Sequence, residues 1–191
     1  MIRLAIFASG GGSNAEAIIN HFKSHSEVEI ALVLSNRKKA GVLKRAENHN
    51  LVSETVNKEQ FQNEEYMNQL MESHAIDYII LAGFLLLIPE FLIKKFPNKI
   101  INIHPSLLPK FGGKGMYGHH VHQAVFDHNE SVSGMTIHLV NEKFDDGKIL
   151  FQEAVDLAPD DTPDIIATKV LKLEHMHYPR VIEKWVTGEY D

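Results

Sequence analysis

The segment Asp77-Tyr78-Ile79-Ile80-Leu81-Ala82 constrains this chain more than any other. It lacks the in–out alternation of a strand with one wet face, so it suits a parallel sheet covered by helices on both sides. Similar apolar runs recur at Ile2–Ala8, Val28–Leu34 and Ile100–His104, and a short one at Leu51–Glu54. Between them lie stretches with helical periodicity: Asn14–His25, Ala40–Asn48, Glu59–His74 and Glu90–Phe96. Short apolar runs alternating with amphipathic segments are the mark of an α/β chain.

The pattern changes after His104. Ser106–Gly118 reads as a glycine-rich loop and His119–Asp127 as a helix. Ser131–Val140 and Ile149–Val155 read as two strands joined through Asn141–Lys148, an antiparallel addition to the edge of the parallel sheet. Thr162–Thr187 closes the chain as a helix that Thr162 can cap and Pro163 can open, with Pro179 expected to kink or split it. A length of 191 residues fits one domain. There is no cysteine, which removes thiol nucleophiles, disulfides and Cys-based metal sites and suits a reducing compartment. The net charge of -6 gives no reason to expect a nucleic-acid partner. No run approaches the length of a membrane span, and Met1-Ile2-Arg3 leads straight into a strand rather than a signal peptide, so a cytoplasmic location is expected.

Three segments carry candidate chemistry. Ser9-Gly10-Gly11-Gly12-Ser13-Asn14 sits between the first strand and first helix, where glycines expose backbone N–H groups to an anion and the helix adds its positive end. The dinucleotide pattern G-x-G-x-x-A is also satisfied here. However, Ser35-Asn36-Arg37-Lys38-Lys39 stands where an acidic ribose ligand would be, which argues against NAD and leaves NADP or a phosphomonoester. The second segment is Asn102-Ile103-His104-Pro105-Ser106-Leu107-Leu108-Pro109. Strand alternation puts Asn102 and His104 on one face, an amide donor beside an imidazole. The third is Asp145-Asp146-Gly147, a carboxylate on a loop that His138 can orient. His119, His120, His122, His175 and His177 match no recognised metal spacing, and no metal is expected.

In this order the segments resemble the glycinamide ribonucleotide formyltransferase family of folate-dependent enzymes. The resemblance runs over essentially the whole chain: Ile6–Asn14, Leu81-Ala82-Gly83-Phe84, Asn102–Pro109, Gly134-Met135-Thr136-Ile137-His138, Asp145-Asp146-Gly147 and Glu174-His175. It implies a formyltransferase fold: a single Rossmann-like α/β domain with a mostly parallel central sheet flanked by helices. Residues 1–100 would form its phosphate- and nucleotide-binding half, and residues 101–191 its catalytic and folate-binding half. It implies transfer of the formyl group of 10-formyltetrahydrofolate, a co-substrate, to a ribonucleotide amine by a monomer or homodimer in purine biosynthesis. Asn102 and His104 would stabilise the oxyanion, Asp145 would assist proton transfer, and His138 would orient Asp145. Opposite charge is expected to raise the His104 pKa and lower that of Asp145.

The resemblance also assigns Gly11, Gly12, Ser13 and Asn14 to the phosphate and Glu174 to the ribose. Leu85, Leu86, Leu87, Ile88, Asn102, Asn141, Glu142 and Asp145 would hold the folate. Two places depart from the family pattern. Leu86 stands where arginine is usual, and Gly112–His119 is a longer loop than the common one. Leu171 occupies a position from which some members bring a basic residue to the phosphate. A tRNA-directed formyltransferase would add a basic nucleic-acid-binding domain. An NADP-dependent oxidoreductase or a non-catalytic phosphometabolite-binding protein would fit the glycine turn alone.

Overall fold

The computed structural model describes residues 1–190. Five strands run parallel: β1 (Ile2–Phe7), β2 (Val28–Ser35), β3 (Ser53–Thr55), β4 (Tyr78–Leu81) and β5 (Ile100–His104). Two more, β6 (Val132–Leu139) and β7 (Ile149–Asp156), add antiparallel, giving the order β3-β2-β1-β4-β5-β6-β7. The late antiparallel edge expected from the sequence is therefore present, on an α/β sheet with helices on both faces.

Alternation along the strands builds two cores. Leu4 and Ile6 of β1 face one side with Ile80, Ile101 and Ile137, covered by α1 (Ser13–Phe22) and α7 (Pro163–Val186). Ala5 and Phe7 face the other side with Ile79 and Leu81, covered by α4 (Glu64–Ser73) and α5 (Glu90–Lys95). Full burial of a Leu, Ile or Phe side chain is worth roughly 1.5–3 kcal/mol, so the central strands have little freedom to slip register.

The remaining helices are α2 (Gly41–Asn48), α3 (Lys58–Gln62) and α6 (His119–Asp127). Two expectations are corrected. The amphipathic stretch Glu59–His74 is two helices, because the Asn63 side chain leaves the first and accepts the Tyr66 N–H to cap the second. Pro179 does not split α7, which runs through it for 24 residues with Tyr178 and Pro179 buried. The Tyr178 hydroxyl donates to the Leu81 carbonyl at 2.8 Å, tying α7 to the middle of the sheet.

Candidate active site

Strand order reverses between β1 and β4, because β1 leads outward to β2 and β3 while β4 leads to β5 and β6. In an open α/β sheet the carboxyl ends of strands at such a switch leave a crevice. Here it is a cavity of about 800 Å³, bordered by the turn after β1, the segment after β4, the end of β5, the loop between β5 and α6, the loop after β6 and one side of α7.

The turn after β1 opens directly into α1. Gly12 caps that helix in the left-handed region (φ 75°), and no side chain caps it. A Cβ there would also lie 2.7 Å from Val42 Cβ, so glycine is required twice over. Among the described residues nothing accepts from the N–H groups of Gly11, Gly12, Ser13 and Asn14. Free donors clustered at the positive end of a helix can seat an anion.

The second cluster comes from sheet register. Asn102 of β5 lies opposite His138 of β6, and His104 opposite Thr136, so all four side chains share a face. Asp145 reaches the same spot from the β6–β7 loop. Its backbone holds φ 54° and its side chain is 9% exposed. One carboxylate oxygen lies 3.4 Å from His104 Nδ1 and accepts the Gly113 N–H at 2.9 Å. The other lies 3.6 Å from His138 Nε2 and 3.4 Å from Asn102 Nδ2. A carboxylate can only accept, so the Asn102 amide turns its nitrogen inward, where it also meets His138 Nε2 at 3.2 Å. His138 Nδ1 carries a hydrogen, since it sits 2.8 Å from the Leu139 carbonyl. Three stretches of chain thus converge on one point.

The sequence profile of the formyl transferase family matches residues 2–182. A Bacillus subtilis phosphoribosylglycinamide formyltransferase is 36% identical over 189 residues, covering 96% of this chain and 94% of its own. The chain belongs to this family. A chloroplastic phosphoribosylglycinamide formyltransferase from Arabidopsis thaliana is 39% identical over 94% of this chain, which spans 64% of that relative's length. The crystal structure of phosphoribosylglycinamide formyltransferase from Brucella melitensis superposes with a TM-score of 0.86 at 36% identity, covering 96% of this chain and 95% of that one. The formyltransferase fold expected from the sequence is the one observed.

Most of the residues marked in the sequence border the cavity: Gly11–Asn14, Leu85–Ile88, Asn102, His104, His138, Asn141, Asp145 and Glu174. Glu142 is the exception. It is exposed and outside the lining, while its neighbours Lys143 and Phe144 face in. Leu86 packs against the second core, so an apolar residue is accommodated where the family usually has arginine. Glu174 is buried, accepts a 2.7 Å hydrogen bond from Asn14 Nδ2, and is pushed up to about 7 by that burial. The longer loop lines the cavity from Gly113 to His119, and its Gly113 N–H grips Asp145.

The expected rise of the His104 pKa is overturned. Its ring is buried, and burial lowers the pKa more than Asp145 and the Phe111 carbonyl raise it. Burial also acts on Asp145, pushing it upward, but the His138 and His104 rings and the Gly113 N–H together hold it below the ordinary carboxylate range. The flagged histidines diverge: His119 faces Asp164, His120 packs on Tyr117, and His177 stacks on Phe151. Among the described residues no group of three or more His, Asp or Glu is arranged to hold a metal ion. No helix there is long and apolar enough to cross a membrane.

Ser9 opens the first candidate segment, but the sequence gives it no role of its own. Its hydroxyl donates to Asn36 at 2.6 Å and accepts the Leu85 N–H at 2.9 Å, joining the anion seat to the segment after β4. Thr136 was missed as well. It donates to the Ser106 carbonyl at 2.6 Å and accepts the Leu108 N–H at 3.0 Å, fixing the loop that leaves β5. A small hydroxyl residue, just past β1 in one case and within β6 in the other, is the only signal the sequence offers for either.

Proposed function

We propose that the chain transfers the formyl group of 10-formyltetrahydrofolate to the amine of glycinamide ribonucleotide. The observation that carries this reading is the convergence of Asn102, His104 and Asp145 beside an uncapped glycine turn in one cavity. The phosphate takes the free N–H groups of Gly11–Asn14, and the ribose hydroxyls donate to Glu174. That geometry leaves the substrate amine directed toward the end of β5.

The Leu85–Ile88 segment fits a flat heterocycle. Its side chains are apolar, and no described residue pairs with the N–H or C=O groups of Leu86 and Leu87. The folate brings the formyl group; the amine nitrogen forms the new bond to its carbon, the bond to N10 breaks, and a proton passes from the amine to the departing nitrogen. Negative charge gathers on the formyl oxygen as this happens. One preorganised donor aimed at such an oxygen is typically worth ~3–4 kcal/mol, or ~10²–10³ in rate. Asn102 supplies it: its 3.4 Å contact to Asp145 is long, so an oxyanion competes for that hydrogen.

His104 holds both ring nitrogens toward acceptors, Phe111 O at 2.8 Å and Asp145 Oδ2 at 3.4 Å, as an imidazolium would. Burial lowers the ring's pKa, and negative charge developing beside it favours uptake of the amine's proton, relayed through Asp145 on its way to the departing nitrogen. Asp145, held ionised, accepts the amine proton directly or through one water. With no cysteine, and with no Ser–His hydrogen bond among the described residues, transfer is direct and alignment of two substrates supplies much of the acceleration. The test is spectrophotometric release of deformylated folate. It should require glycinamide ribonucleotide, and absence of turnover with both substrates present would overturn the reading.

A further inference from the structure

The glycine turn is clamped from behind, and the clamp has one side chain in it. A trans peptide points the C=O of one residue and the N–H of the next in opposite directions. Fixing three carbonyls outward therefore aims three N–H groups into the cavity. Gly10 O accepts the Val42 N–H at 3.1 Å, which sets the Gly11 N–H. Gly12 O accepts the Glu16 N–H at 2.9 Å, which sets the Ser13 N–H. The peptide between them is fixed by Arg45, whose Nε donates to Gly11 O at 2.7 Å and so sets the Gly12 N–H.

Gly11 and Gly12 carry no side chain to be gripped, though α2 lies against them: a Cβ at Gly41 would fall 3.1 Å from Gly11 Cα and one at Gly12 2.7 Å from Val42 Cβ. A Cβ at Gly10 or Gly11 would meet no atom within 4 Å. Arg45 is itself braced: Glu16 in the first turn of α1 accepts from its terminal nitrogen at 3.2 Å, and the same carboxylate meets His49 Nε2 at 2.7 Å. Leu171 borders the cavity on the α7 side, and the cations in the lining are Arg37, Lys114 and Lys143, so the aim of the N–H groups acts alongside them.

We propose that Arg45 is a positioning residue for the phosphate of the nucleotide substrate, acting through the Gly11 carbonyl without touching the phosphate. The proposal rests on the reading of Gly11–Asn14 as the phosphate seat. A direct charge effect predicts a different result at Glu16. Removing that carboxylate should tighten phosphate binding if Arg45 acts by charge, and weaken it if Arg45 acts by aim.

The experiment is calorimetric binding of glycinamide ribonucleotide and of the phosphate-free riboside to the wild type, Arg45→Met and Glu16→Ala, with steady-state kinetics alongside. Arg45→Met should bind the ribonucleotide about tenfold more weakly, as expected for loss of one charge-assisted hydrogen bond, and leave riboside affinity unchanged. Its KM for the ribonucleotide should rise by a similar factor, with kcat at saturation within about twofold. Glu16→Ala should shift ribonucleotide affinity in the same direction. Undiminished phosphate preference in Arg45→Met, equal losses for both ligands, or tighter ribonucleotide binding by Glu16→Ala would each overturn the proposal. A wild type that binds riboside and ribonucleotide alike would instead sink the phosphate reading beneath it.

Discussion

Glu174 gives the sharpest quantitative test, because one buried carboxyl should leave opposite marks on stability and on substrate affinity. Its carboxyl is raised from 4.5 to about 7 by burial, with only the Asn14 amide working against the rise. Between those values the folded chain keeps a proton that the unfolded chain has lost. Stability from this group is thus fully present below about pH 4.5 and is lost as pH rises through about 7. A shift of this size corresponds to about 3 kcal/mol once the carboxylate is forced to ionise. Glu174→Gln keeps the shape and an acceptor for Asn14 but cannot ionise. In urea denaturation followed from pH 5 to pH 8, the variant should gain on the wild type as pH rises, by up to about 3 kcal/mol at the alkaline end. Ribose hydroxyls donate to an ionised carboxylate more strongly than to a neutral amide, so the stabler variant should bind nucleotide more weakly. Wild-type affinity should itself rise through pH 7, whereas the variant's should not. A constant stability difference across the range would refute the reasoning about burial, and unchanged nucleotide affinity would refute the ribose contact.

Asp145→Asn should lower kcat by about 10²–10⁴ while nucleotide Kd stays near wild type; a large rise in Kd with normal turnover would contradict its role. Asn102→Ala should lower kcat by about 10²–10³ in single-turnover measurements, and near-normal rates would remove the oxyanion donor. His122 is buried with its Nδ1 lacking a partner, and burial, with His119 and His104 nearby, lowers it to about 4. Its contribution is present above its ordinary 6.5 and lost as pH falls toward 4, so His122→Gln should flatten the acid limb of the denaturation profile. Gly147→Ala should fold poorly or lose activity, since a Cβ there would lie 1.6 Å from the Leu139 carbonyl in the loop that carries Asp145; an active variant with unchanged melting would show that the loop yields cheaply.

What was readable in advance was whatever depends on local pattern. Apolar runs marked the strands because burial on both faces demands them, and β5 was bounded correctly as Ile100–His104. Asn102 and His104 were placed on one face by alternation alone. The break at Asn63 was not seen, because an asparagine cap interrupts a helical stripe without interrupting its periodicity. Pairing register was also hidden. That His138 lies opposite Asn102, and so reads its amide as much as Asp145, follows from β5–β6 alignment and from the tautomer fixed by the Leu139 carbonyl. The grip of Gly113 on Asp145 and of Arg45 on Gly11 joins residues about thirty positions apart through main-chain atoms, which leave no trace in side-chain identity.

The lowered pKa of His104 has the same origin and a wider consequence. Sequence shows which charges can meet, but not how much water they lose on meeting. A carboxylate 3.4 Å from the ring raises its pKa, and removal of solvent from a ring only 3% exposed lowers it further than that. A ring already charged at rest would be tied to Asp145 as a settled ion pair and would have less to offer a developing oxyanion. A ring of lowered pKa that takes up the amine's proton through Asp145 as the charge appears stabilises the transition state more than the ground state, which is the condition for acceleration. Burial at the end of β5 is therefore part of the chemistry, and a change that opens this site to water should slow the reaction even with every polar side chain in place.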